Sequence, residues 1–328
     1  MTSYISAFKS VFISLLLIFA MEVALASRPS PEPEGSPLYS YKYLRGDVVQ
    51  KRVVEEKRRL FEHSTPEFVQ IGDSSGYYGV QPKIVERYIG NYSYINASCC
   101  GDTGYAGYRY LADIYLRDHP SAHYLVLYIT PYLFPMYSKE GFSPSIYRAY
   151  LSPFRFVDKL PSLQYRIAVT NLVFYGNYSH VMRDDSEFPN YIEKWVKQYP
   201  QTGGWVPIPV APKRLTVPAG ECDFNHVYDY KGAPTVRDEL EKIKKVTDKY
   251  HAHLIVMFNP VACTAGPIIQ PIIDDVKDFQ KENPDVIVPF PVITTWKPED
   301  FNDPWHLFEK ASVPNSERVG NALTKIVR

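Results

Sequence analysis

Apolar residues fall in five short runs along the chain, with charged stretches of helical spacing between them. Residues 67–71 (EFVQI) and 94–98 (YINAS) are the first two. Residues 123–130 (HYLVLYIT), 253–258 (HLIVMF) and 285–290 (DVIVPF) are apolar with little alternation, as expected of strands covered on both faces. Helices are predicted at residues 82–89, 108–117, 235–250, 272–282 and 316–327. Strands alternating with helices imply βαβ units, so the expected fold is α/β, a mainly parallel sheet sandwiched by helices. Residues 131–220 break the rhythm. They are irregular and aromatic, with short helices predicted at 156–160 and 191–198, and they read as an insertion.

Upstream of the first strand, residues 48–63 read as a polar helix stopped by Thr65-Pro66, and residues 27–37 (SRPSPEPEGSP) are a linker by composition. Lys9 precedes the unbroken apolar run of residues 11–21 (VFISLLLIFAM), and Ala24 and Ala26 supply a small-x-small ending. That run is shorter than the roughly 20 residues of a comfortable membrane span. Counted from Tyr4 to Ala26 it reaches that length, with Lys9 and Glu22 near its ends. A cleaved signal peptide and a retained anchor both fit, and either implies export to the periplasm or the cell exterior. The expected organisation is a leader at 1–26, linker and polar helix at 27–66, and one large domain at 67–328 that contains the insertion.

Charge removes one class of partner. Lys+Arg and Asp+Glu both total 36, and no basic stripe stands out, which argues against nucleic acid. Tyr is abundant, at 27 residues beside 17 Phe and 28 Pro. Its ring with a polar tip suits sugar stacking and half-wet surfaces, and it also fills strands. Export permits disulfides among Cys99, Cys100, Cys222 and Cys263. Cys222–Cys263 is the natural pair because adjacent cysteines rarely bridge each other; four buried small side chains are the alternative. No cysteine spacing resembles a zinc site.

Ligands of parallel sheets bind beyond the carboxyl ends of the strands. Three such places hold catalytic residue types: Gly72-Asp73-Ser74-Ser75-Gly76, Gly101-Asp102-Thr103-Gly104, and Asn302-Asp303-Pro304-Trp305-His306. A serine hydroxyl needs a base to take its proton, and histidine is that base near neutral pH. The histidine needs an acceptor that fixes its tautomer, and Asp303, three residues before His306, can reach it within one turn. An acyl oxyanion needs two or three donors, for which the N–H groups of Ser74 and Gly101 are candidates. Asp73 is assigned to holding the turn, and Ser75 is the alternative nucleophile. His251 and His253 span a helix-to-strand junction without a third ligand, and His226 has no companion, so no metal is expected. Asn91, Asn96 and Asn177 begin N-x-S/T sequons, from which nothing is drawn.

At these residues the chain resembles the SGNH (GDSL-like) hydrolase superfamily. Gly72-Asp73-Ser74, Gly101 and Asp303-Pro304-Trp305-His306 match its blocks in order and approximate spacing, over about residues 67–328. The resemblance implies a flavodoxin-like three-layer domain with Ser74, His306 and Asp303 as catalytic triad and no cofactor. One block departs: where the family often has G-x-N-D, this chain reads Thr130-Pro131-Tyr132. Thr130 or Tyr132 could replace the missing asparagine with a hydroxyl, and Asn177 is a remote second candidate. A proline at this block is similar to envelope acyl-transfer members such as the teichoic-acid D-alanylation protein. The G-x-S-x-G elbow of α/β-hydrolases fits Gly72–Gly76 too, but it follows several strands and its acid lies far from its histidine. Trypsin-like order places His and Asp before Ser, which Ser74 excludes. The expectation is an exported esterase or O-acyltransferase acting on acyl, foremost acetyl, esters of surface polysaccharide. A membrane acyltransferase is the expected partner, and a non-catalytic glycan-binding protein the alternative.

Overall fold

The computed structural model describes residues 64–131, 194–208, 236–262, 266–303 and 305–327, together with residues 11–14, 17, 53, 56, 57, 59 and 60. The chain divides into two compact units, one of residues 1–51 and 143–193 and the other of residues 52–142 and 194–328. The second holds every element below. In the first, residues 11–14 and 17 are helical and exposed, and the rest of the expected export segment lies outside the described residues. Among the described residues no helix is long and apolar enough to cross a membrane.

Four strands build the sheet: β1 (Phe68–Gly72), β2 (Tyr94–Asn96), β3 (Tyr124–Ile129) and β4 (His253–Phe258). All pair in parallel, in the order β2-β1-β3-β4. Their side chains are buried almost throughout, which is why the runs lack alternation. The helices are α1 (Ser74–Gly79), α2 (Pro82–Ile89), α3 (Gly104–Asp118), α4 (Tyr199–Thr202), α5 (Val236–Lys249), α6 (Gly266–Glu282) and α7 (Glu309–Val327). Val85 and Ile89 of α2 and Val319 and Leu323 of α7 pack with Phe68, Val126, Tyr128, Ile255 and Met257 on one face of the sheet. Helix α3 packs against β1, and α5 against β4 and α3. The fold is the expected three-layer α/β arrangement.

Local chemistry explains most boundaries. Pro82 opens α2, where a missing N–H costs nothing, and Gly90 ends it at φ 75°. Helices α6 and α7 start earlier than the sequence suggests, at Gly266 and Glu309, and run through Pro271 and Pro314. Proline removes one hydrogen bond from each helix, and apolar packing outweighs that loss.

The fifth expected strand is a correction. Residues 285–290 make only a single parallel bridge, Ile287 to Ile255, with Val256 N–H donating to Ile287 O and Ile287 N–H to Leu254 O, both at 2.9 Å. Pro289 and Pro291 remove the donors that a longer ladder needs. Beyond it the chain rejoins the body through a Val261–Thr295 bridge, and a Phe301–Leu307 bridge closes the loop between those two residues. Of the helices predicted in the insertion, 156–160 lies outside the described residues, while residues 194–196 and α4 are helical.

Tyrosine abundance is partly a core property. Tyr94, Tyr105, Tyr108, Tyr115, Tyr128 and Tyr199 are among the largest fully buried side chains. Tyr94 donates to Gln70 Oε1 at 2.5 Å, and the Tyr128 hydroxyl lies 3.2 Å from Asn259 Oδ1, an acceptor for its proton, and accepts from Asn315 Nδ2 at 2.9 Å.

Candidate active site

The first turn of the site follows from β1. Gly72 has φ 146°, and a Cβ there would lie 1.8 Å from the Tyr128 carbonyl oxygen, so only glycine lets β1 leave the sheet here. Asp73 then caps α1. Its Oδ1 accepts from Ser75 N–H at 2.9 Å and Ser75 Oγ at 2.5 Å, and its Oδ2 accepts from Thr130 N–H at 2.8 Å. Asp73 thus ties the end of β3 to the start of α1, the turn-holding role assigned to it. Burial pushes its carboxyl above the ordinary range, against the pull of these hydrogen bonds.

Helix α1, SSGYYG, is poor helix material by propensity. Tertiary hydrogen bonds hold it instead: Asn96 Nδ2 donates to Gly76 O at 2.8 Å and to Val80 O at 2.9 Å. Gln70 donates to Asn96 Oδ1 at 3.0 Å and to Ser98 Oγ at 2.7 Å, which completes a buried polar layer beneath the helix. Asn96 is fully buried, so its sequon is no surface feature.

Ser74 is the first residue of α1 and is partly exposed, while Ser75 is buried with its hydroxyl given to Asp73. His306 Nε2 lies 2.7 Å from Ser74 Oγ, and His306 Nδ1 lies 2.7 Å from Asp303 Oδ2. Residues 232 positions apart are therefore joined in a Ser-His-Asp chain. With the carboxylate on the Nδ1 side, Nδ1–H donates to Asp303 and Nε2 is left to accept from Ser74. Asp303 Oδ1 also accepts from the N–H groups of Trp305 at 2.9 Å and His306 at 3.0 Å. Burial would raise the Asp303 carboxyl, but the His306 hydrogen bond and charge, with the loop N–H, hold it below the ordinary value.

The loop carrying this pair is itself anchored. Asn302 N–H donates to His306 O at 2.8 Å, and Asn259, just past β4, donates to Trp305 O at 3.1 Å. Tyr78 meets the His306 ring edge-on at 5.4 Å between centroids, and Trp195 meets Tyr78 at 5.9 Å. Trp205 Nε1 donates to Tyr78 O at 2.7 Å. Aromatic rings therefore stand behind the base.

The oxyanion candidates are divided. Gly101 opens a 3-10 turn, Gly101–Thr103, just past β2. Thr130 is buried at the end of β3; its hydroxyl has no hydrogen-bond partner among the described residues, while its N–H serves Asp73. Tyr132, Asn177, His226, Cys222 and Cys263 lie outside the described residues. The cysteine expectation is corrected at the second block: Cys99 and Cys100 are joined in a vicinal disulfide. Adjacent residues have no loop to close, so local backbone conformation alone decides whether their sulfurs meet.

His253 stacks on Tyr124 at 5.7 Å, and His251 sits in the turn before β4 at φ 56°. Among the described residues no three His, Cys, Asp or Glu side chains group as metal ligands. Sequence reasoning missed Asn96, whose place at the end of β2 was the available signal, and the burial of Lys57, which its charged neighbours in the sequence conceal. No protein-family model matches the chain, and no curated protein matches it.

Proposed function

We propose that this chain is an exported serine esterase or O-acyltransferase of the SGNH (GDSL-like) type, acting on acyl esters, foremost acetyl, of cell-envelope polysaccharide. The observation that carries the reading is the continuous chain from Ser74 Oγ through His306 to Asp303, with 2.7 Å at both links. Ser74 Oγ attacks the acyl carbonyl as its proton passes to His306 Nε2, and Asp303 stabilises the imidazolium. The N–H groups of Ser74 and Gly101, with the Thr130 hydroxyl as a third donor, meet the negative oxygen of the tetrahedral intermediate. Collapse breaks the ester bond, His306 returns its proton to the departing alcohol, and the acyl group stays on Ser74. Water or a sugar hydroxyl then gives its proton to His306 and attacks the acyl-serine, and as the bond to Ser74 Oγ breaks His306 passes that proton to Oγ.

The glycan part of the reading draws on the export segment and on the aromatic rings of Tyr78 and Trp195 near the base, which suit the apolar face of a sugar. An exported transferase has no cytoplasmic acyl donor of its own, so a membrane acyltransferase would hand acyl groups to Ser74. Purified protein should hydrolyse a simple acetyl ester and be labelled once, at Ser74, by a serine-directed phosphonate. Ser74→Ala should abolish both and change polysaccharide acetylation in cells, lowering it if the enzyme is a transferase and raising it if it is an esterase. Unchanged turnover and acetylation in Ser74→Ala would leave a non-catalytic glycan-binding protein as the better reading.

A further inference from the structure

Among the described residues, Lys57 and Asp73 are the charged side chains with no exposure at all. Asp73 holds the nucleophile's turn, whereas Lys57 has no part in the steps above. Lys57 lies on the helical segment ahead of β1, one turn from the buried Val53. Its Nζ donates to the main-chain oxygen of Ser98 and sits 4.0 Å from the centroid of the Tyr77 ring and 5.6 Å from that of Tyr199. Those two phenols share a hydrogen bond of 2.6 Å. No carboxylate pairs with Lys57 among the described residues, so a carbonyl and two aromatic faces form its surroundings. Burial pushes its ammonium well below the ordinary lysine value.

The partner explains why such a costly group sits there. Ser98 is fully buried and stands three residues before Gly101. The segment between them is hung from β1 and α3: Ala97 N–H donates to Gln70 O at 2.7 Å, Cys99 N–H to Gly72 O at 3.1 Å, and Tyr108 hydroxyl to Cys100 O at 3.0 Å. The Ser98 N–H and Oγ are met by Asn96 and Gln70. Its carbonyl is met by Lys57, its one partner among the described residues. Without Lys57 this buried carbonyl loses its one described donor, the Cys99 N–H bond to Gly72 O is left alone to hold the same peptide plane, and the strand-to-turn segment that ends at Gly101 is less firmly set.

We infer that Lys57 is a positioning residue for the proposed reaction, which fixes the Ser98 peptide and so aims the Gly101 N–H at the developing oxyanion. The inference rests on the esterase reading of the Ser74 site. An oxyanion donor acts on the transition state more than on the bound ester, so its misplacement lowers kcat and spares KM.

The test is steady-state hydrolysis of a soluble acetyl ester by the full chain, its Lys57→Met and Lys57→Arg variants, and Ser74→Ala. Lys57→Met should lose about 10- to 100-fold in kcat with KM within about threefold, somewhat less than outright loss of an oxyanion donor. Its rate of capture by the phosphonate, a tetrahedral mimic, should fall in parallel. Lys57→Arg, which keeps a charged donor, should recover most of the loss. A folded Lys57→Met with wild-type kcat, or one whose loss lies in KM alone, overturns the inference. If Lys57→Met does not fold, Lys57→Arg decides through its pattern: a folded protein with lowered kcat and KM within about threefold supports the role, and one with wild-type kcat, or a loss in KM alone, refutes it. Absence of Ser74-dependent turnover in the wild type would instead sink the esterase reading itself.

Discussion

Asp303→Asn separates the two jobs that the Asp303 carboxylate does. Oδ1 accepts from the N–H groups of Trp305 and His306 and shapes the loop, while Oδ2 accepts from His306 Nδ1. An asparagine keeps one oxygen for the loop N–H groups but presents an NH2 to Nδ1. Nδ1 must then accept, so the imidazole proton moves to Nε2, which can no longer take the Ser74 proton. Restoring the working tautomer sets two donors face to face and forfeits a part-buried hydrogen bond, at a cost of about 3–5 kcal/mol. At 1.36 kcal/mol per decade that is roughly 10²–10⁴ in rate. The assay is kcat for a soluble acetyl ester near neutral pH, beside a thermal melt to show that the loop-shaping bonds persist. A folded Asp303→Asn protein within tenfold of wild-type kcat would mean that Asp303 caps the loop and nothing more, and the proposed relay would be wrong.

Gly72→Ala should yield no soluble native protein, because its Cβ would lie 1.8 Å from the Tyr128 carbonyl at a φ that L-residues rarely adopt; a well-behaved melt of this variant would refute the account of the turn. The pH dependence of stability carries Lys57's signature. Its folded value lies below the ordinary 10.5, so between the two the unfolded chain binds one more proton and unfolding free energy rises with pH. Chemical denaturation across the alkaline range below 10.5 should show wild type gaining stability relative to Lys57→Met, and parallel curves would contradict the burial of that ammonium.

What was legible in the sequence was whatever depends on burial by both layers or on short spacing. The runs at 123–130 and 253–258 could be read as strands because both faces are covered, and β4 has the bounds its pattern suggests. Ser74 and the Asp303-His306 pair could be read because strand ends and a three-residue spacing leave few other geometries. The run at 285–290 was misleading: its apolar pattern is real, but Pro289 and Pro291 leave it one bridge. Helix α1 could not be seen because residues distant in sequence hold it, above all Asn96 donating to Gly76 O and Val80 O. Lys57 was hidden for a related reason. A lysine among charged neighbours looks solvated, and only the packed unit reveals that it points at the Ser98 carbonyl.

The 232-residue separation of Ser74 and His306 has a consequence for the life of the chain before it is finished. A growing polypeptide presents Ser74 early, when the hydroxyl is no more reactive than any other alcohol. The base arrives only with the loop ahead of α7, and α7, which packs on α2, closes behind it. On the proposed esterase reading, a molecule in which that helix has not docked would be silent toward every ester it meets. On that reading Ser74 gains its base only when residues 303–306 fold back beside α1, so the activation of the hydroxyl is a product of folding and not of the serine alone.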